Sequence, residues 1–264
     1  MKNNLSITIV QTYIYWHDKQ RNIENIEGLI QKTETDLIIL PEMFTTGFSI
    51  DPTGIAEDIE GQTLDWMRTI AARKNAAIAG SIITRRNGQY FNTLLFVKPD
   101  GSYAFYDKRH TFSMAGENRF YTKGKRNILI NYRGWKIKPL ICYDLRFPVW
   151  ARNKCNYDLL VYVANWPRSR IQQWKALLAA RAIENQAYTI GVNRIGTDGN
   201  DFDYSGESMI LSPKGEIIYQ APADMNDVKT VTLDLEKLKS MRQKFPVLQD
   251  MDQFTIRDET QETY

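Results

Sequence analysis

Apolar and polar positions along the chain alternate between two rhythms. Residues 5–15 alternate with a period of two and predict a strand. Residues 21–32 set Ile23, Ile26, Leu29 and Ile30 at helical spacing, and residues 63–74 do the same with Leu64, Met67 and Ile70. Between these helices, Leu37-Ile-Ile-Leu40 is wholly apolar, as suits a strand covered on both faces. Strands over 76–85, 90–97 and 103–107 are joined by turns at Asn87-Gly88 and Pro99-Asp100-Gly101. The stretch 109–127 is irregular, and a connection of that length in a compact domain is usually functional.

Strands follow at 128–130, 135–141 and 159–164, then a long helix over 171–186. Its apolar stripe is Trp174, Leu177, Leu178, Ala182 and Ile183. Strands at 188–194, 208–211, 216–220 and 228–233 and a helix over 235–244 complete the pattern. Residues 1–246 read as one domain, and 247–264 as a polar tail that drapes over a neighbour or frays. Early strand–helix alternation with hairpins in the middle predicts a layered α/β domain. One central sheet and two sheets packed face to face fit this order equally.

Composition narrows the function classes. A net charge of +3 with only short basic runs such as Arg85-Arg86 gives no nucleic-acid footprint. Gln11 and Thr12 interrupt the N-terminal apolar segment before any cleavage site, and no stretch approaches the length of a membrane span. Cys142 and Cys155 make no disulfide framework, which suits a cytoplasmic enzyme. His17 and His110 are the only histidines, and neither has metal-ligand spacing to a His, Cys or Asp. No metal and no cofactor is expected.

Three apolar strands end in chemistry. LIILPEMF ends on Glu42, YAFYDKRH on Lys108 and KIKPLICYDLRFP on Cys142. A cysteine at a strand-to-turn junction can present a nucleophile, with backbone N–H groups to hold an oxyanion. A carboxylate beside it can serve as general base, and a lysine can favour thiolate and steady the oxyanion. Taken singly, the residues have plainer readings: a buried inert thiol, a loop cap and a surface charge. His110 is the alternative partner for the cysteine.

In that order, LPEMFTTGF, YDKRHTFSMAGE and LICYDLRFP resemble the nitrilase superfamily of carbon–nitrogen hydrolases. Asn165-Trp166-Pro167, ARAIENQ and YTIGVNRIGTDG are similar too, so the likeness runs from Ile7 to about Leu235. It implies a four-layer α-β-β-α sandwich, a homodimer, and a triad of Glu42, Lys108 and Cys142 with Glu117 in support. The implied chemistry has Glu42 as base, and Lys108 with the backbone N–H of Tyr143 as oxyanion donors. Glu117 would orient Lys108 or the water. Within the superfamily the segments look most like ω-amidases, which hydrolyse the terminal amide of α-keto acids such as 2-oxoglutaramate and 2-oxosuccinamate. Other carbon–nitrogen hydrolases, acting on nitriles, carbamoyl amines or simple amides, and a non-catalytic binding module are the alternatives.

A keto-acid amide carries a carboxylate that needs a cation or several donors. Arg168 is the candidate for it, with Arg146 expected as a structural partner of Asp144 or another acid. Phe44 and Trp166 are expected to wall the pocket, with core packing as the competing reading. Cys155 receives no role.

Overall fold

The computed structural model describes residues 3–257 and 260–264. The first half runs β1 (Asn4–Gln11), α1 (Lys19–Ile30), β2 (Leu37–Ile39), α2 (Gln62–Lys74), β3 (Ala77–Arg86), β4 (Gln89–Val97) and β5 (Tyr103–Asp107). A short helix α3 (Glu117–Phe120) leads to β6 (Arg126–Tyr132), β7 (Trp135–Ile141), α4 (Pro148–Ala151) and β8 (Leu159–Ala164). Then come α5 (Ile171–Asn185), β9 (Tyr188–Asn193), β10 (Ile195–Thr197), β11 (Asp203–Ser205), β12 (Met209–Leu211) and β13 (Ile217–Gln220). The last elements are β14 (Asp227–Asp234), α6 (Leu235–Lys244) and β15 (Thr260–Thr263).

Two sheets pack face to face. One has the order β14-β1-β2-β3-β4-β5, the other β13-β12-β9-β8-β7-β6-β15. The side chains of β2 show why its sequence is apolar throughout. Leu37 and Ile39 enter the core between the sheets, whereas Ile38 and Leu40 face the layer beneath α1 and α2. In that outer layer they meet Ile26 and Ile30 of α1 and Leu64, Met67 and Ile70 of α2. On the opposite side, α5 covers the second sheet through Trp174, Leu178 and Ala182, a buried apolar line at four-residue spacing. The result is a helix–sheet–sheet–helix stack.

Strand direction gathers the chemistry at one rim. β2 and β3 run parallel, and the antiparallel pairs β3–β4 and β4–β5 return β5 to the same direction. In the other sheet β7, β8 and β9 are parallel neighbours. The carboxyl ends of β2, β5, β7 and β8 therefore carry Glu42, Lys108, Cys142 and Asn165 into the loops that follow.

Four expectations are revised. β1 stops at Gln11 rather than Tyr15, because its partner β14 begins at Asp227, directly opposite Gln11. Ile183 is 55% exposed, one position around the helix from the buried Trp174–Leu178–Ala182 line. The stretch 109–127 contains a 3₁₀ turn over Ser113–Ala115 and the four-residue α3. Finally, the polar tail ends in β15, which pairs in parallel with β6 of the chain's own second sheet. The β10–β11 ribbon, with three residues per strand, has no counterpart in the sequence pattern.

Gly191 in β9 lets α5 approach the sheet. A Cβ there would lie 2.5 Å from Trp174 and 2.6 Å from Leu178. Gly191→Ala should therefore cost about 1–3 kcal/mol of stability through overpacking. Urea unfolding checks this, and an unchanged midpoint would contradict the packing described.

Candidate active site

Glu42 sits at the end of β2, Lys108 directly follows β5, and Cys142 directly follows β7. All three side chains converge between the two sheets. Lys108 is 1% exposed and Glu42 and Glu117 are fully buried. Removing an ammonium from water is costly unless charge and hydrogen bonds replace the hydration. Here Nζ donates to Glu42 Oε1 at 2.9 Å and to Glu117 Oε1 and Oε2 at 3.1 and 3.0 Å.

Each carboxylate is itself held. Glu42 Oε1 also accepts from Asn92 Nδ2 at 2.7 Å, and Oε2 accepts from the backbone N–H of Asn165 at 2.7 Å. Asn165 Nδ2 donates in turn to the Glu42 carbonyl at 2.8 Å. Glu117, at the start of α3, accepts from the backbone N–H of Phe112. The irregular stretch 109–127 thus folds back to deliver a second carboxylate.

Cys142 adopts φ 42°, a left-handed conformation that a non-glycine residue rarely takes and that is often found at functional sites. This bend turns β7 abruptly into the 3₁₀ helix Cys142–Arg146 and aims the sulfur at Glu42. Asp144, fully buried two residues on, secures the bend. Its Oδ2 accepts from Ile141 N–H at 3.0 Å and from Tyr106 Oη at 2.8 Å. Its Oδ1 accepts from the backbone N–H of His110 at 2.9 Å and contacts His110 Nδ1 at 2.8 Å. One carboxylate therefore ties the segment that carries Lys108 to the turn that carries Cys142.

The electrostatics follow from burial. Desolvation pushes the Cys142 thiol well above its ordinary pKa, the neighbouring Glu42 carboxylate pushes it further, and Lys108 only partly opposes them. Burial works against the Lys108 charge, but Glu117 and Glu42 outweigh it and hold the ammonium well above its usual range. Burial also raises Glu117, against the pull of Lys108. Burial and the neighbouring charges thus favour the thiol over the thiolate and the ammonium over the amine.

Above the sulfur lies a cavity whose aromatic walls include Phe48, Phe112, Tyr143, Trp166, Phe202 and Tyr204. Lys108, Arg146 and Arg170 line it as well, and among the described residues no Asp or Glu does. Trp166 thus lines it. Phe44 does not: it is fully buried, fills the space over Gly80 and tilts against Trp66 at 5.9 Å, while Phe48 takes the pocket position. The turn through Met43 (φ 45°) and Gly47 (φ 77°) accounts for the exchange.

The arginine expectations are also reversed. Arg168 points away and pairs with Asp203 and Asp224. Arg146 lies 4.9 Å above the Trp166 ring within the pocket, because Asp144 is already occupied by His110. His110 itself stacks on Phe147 at 3.8 Å and makes no pair with the cysteine. Cys155 contacts Gln261 of the tail, away from the site. Asn92, Asp144, Phe48 and Arg170 are the participants that sequence reasoning missed. Of these, Asp144 and Phe48 stood in segments already singled out, LICYDLRFP and LPEMFTTGF.

The carbon-nitrogen hydrolase family profile matches residues 6–243. The chain is 44% identical to omega-amidase YafV of Yersinia enterocolitica over 255 residues, spanning 96% of this chain and 99% of that protein. It is 30% identical to the 2-oxoglutaramate amidase of Bacillus subtilis over 253 residues, covering 93% and 97% of the two chains. Among solved structures, XC1258 of Xanthomonas campestris, a CN-hydrolase superfamily protein with an arsenic adduct in its active site, superposes with a TM-score of 0.93. The two share 40% identity, with 96% and 99% of the respective chains covered.

The raised thiol pKa has a direct spectroscopic consequence. The thiolate absorbance near 240 nm, taken as wild type minus Cys142→Ala, should remain absent at pH ~8.5, the midpoint of an ordinary thiol. A midpoint below that value would mean that Lys108, rather than burial and Glu42, governs the sulfur.

Proposed function

The chain belongs to the carbon–nitrogen hydrolase family, and from that premise we propose that it is an ω-amidase. It hydrolyses the terminal amide of α-keto acid monoamides, 2-oxoglutaramate and 2-oxosuccinamate among them, to the keto diacid and ammonia. The observation that carries this reading is the buried Glu42–Lys108–Glu117 cluster against the Cys142 sulfur, under a pocket that the described residues line with cationic groups and no acid. Such a pocket suits an anionic substrate. The relatives named omega-amidase and 2-oxoglutaramate amidase support the same substrate class.

In this mechanism Glu42 takes the Cys142 proton as the sulfur attacks the amide carbon. The oxyanion is held by Lys108 and the backbone N–H of Tyr143, a kind of donor whose loss typically costs about 10²–10³ in rate. Glu117 accepts from Nζ through both oxygens at 3.0 and 3.1 Å, so one proton shared between them leaves another for the oxyanion. Glu42 returns its proton to the nitrogen as the C–N bond breaks, and ammonia leaves a thioester on Cys142. Water then attacks, Glu42 takes a proton from it, and the C–S bond breaks as that proton returns to sulfur. A thiol pKa pushed upward fits this sequence, because the thiol proton is the one the leaving nitrogen needs.

No metal or organic cofactor enters these steps. We place the enzyme in the cytoplasm as a homodimer. Its two free cysteines suit a reducing compartment, and the half-exposed Ile183 on α5 is the kind of apolar residue a pairing face covers. No described helix is long and apolar enough to cross a membrane.

Incubation with 2-oxoglutaramate should release ammonia and 2-oxoglutarate in equal amounts, and Cys142→Ala should release neither. A wild-type enzyme silent on keto-acid amides yet active on a nitrile or an N-carbamoyl amine would overturn the assignment to ω-amidases.

A further inference from the structure

Trp166 is bracketed by two arginines. Arg146 lies over its face at 4.9 Å, and its indole Nε1 donates to the backbone carbonyl of Arg170 at 2.8 Å. Both arginines line the cavity that holds Cys142. Arg146 already donates to Gln173 Oε1. The Arg170 guanidinium instead rests 5.2 Å from the centre of the Phe112 ring, with no carboxylate or carbonyl acceptor among the described residues. The neighbouring Arg168 is spent on Asp203 and Asp224. A guanidinium held on an aromatic face, with its N–H fork unfilled inside a pocket that no acid among the described residues lines, is pre-organised for a planar anion.

We propose that Arg170 is a specificity-determining residue that, together with Arg146, grips the substrate carboxylate at the end of the pocket remote from the reacting amide. This rests on the ω-amidase reading and names the groups that make it selective. The backbone N–H of Phe112 is bonded to Glu117, which grips Lys108, so the platform beneath Arg170 belongs to the segment that completes the catalytic cluster. The same two cations disfavour an α-ammonium group, so a keto-acid amide is preferred over the corresponding amino-acid amide.

The test compares kcat/KM for 2-oxoglutaramate with that for butyramide, which lacks the carboxylate. Arg170→Gln should lower the ratio of the two values about 10- to 100-fold, the loss of a charge-assisted pair. Arg170→Lys should recover only part of it, because a point charge replaces a fork. Arg168→Ala, which removes a cation outside the pocket, should leave the ratio unchanged. An Arg170→Gln ratio equal to that of wild type would overturn the proposal, as would an equal fall in the Arg168 variant.

Glutarate binding to the Cys142→Ala protein, with and without Arg170→Gln, supplies a readout that needs no turnover. Weakening by Arg170→Gln supports the clamp even if 2-oxoglutaramate proves not to be a substrate. Unchanged glutarate affinity refutes it even if 2-oxoglutaramate is hydrolysed.

Discussion

An ammonium buried between two carboxylates is the constraint on which the site depends. Lys108 has given up its water and is compensated by Glu42 and Glu117, through three contacts at 2.9–3.1 Å. Removing either carboxylate would leave a charge with too few partners in a low-dielectric interior, which is far more damaging than losing a surface ion pair. The same cluster sets the state of the sulfur. Two carboxylates already share one ammonium, and a thiolate would add a third anion. Desolvation and Glu42 therefore push the Cys142 thiol well above its ordinary pKa.

That cluster has to be assembled from pieces far apart in the chain, and the two-sheet stack provides the means. Glu42 and Lys108 leave one sheet at the carboxyl ends of β2 and β5, and Cys142 and Asn165 leave the other at the ends of β7 and β8. The junction is locked by hydrogen bonds rather than by packing alone. Asn165 binds both the side chain and the backbone of Glu42, while Asp144 joins the Cys142 turn to the backbone of His110. The left-handed φ of Cys142 is a strained feature that these contacts hold in place.

What the sequence disclosed depended on the range of the determining interaction. Glu42, Lys108 and Cys142 were legible because each follows an apolar strand, and the strand alone fixes the rim on which the residue emerges. Glu117 was legible only by resemblance, since its return to Lys108 depends on how the 109–127 segment folds. Phe44 and Phe48 lie four residues apart, and the turn between them decides which enters the core. Arg168 and Arg170 are two apart in one 3₁₀ turn. Their opposite fates depend on Asp203 and Asp224, which lie 35 and 56 residues beyond Arg168. Arg146 was misread for the same reason, because Asp144 finds its partner 34 residues away at His110.

The central claim is that this cluster makes Cys142 a nucleophile that carries the acyl group of an amide. Rapid acid quenching of the wild-type enzyme during its first turnover of 2-oxoglutaramate, followed by mass spectrometry of its peptides, tests it most directly. A 2-oxoglutaryl adduct is expected on the peptide containing Cys142, appearing with the first ammonia and decaying as 2-oxoglutarate forms. Ammonia release with no acyl group on that peptide, or with the adduct on Cys155 instead, would contradict it.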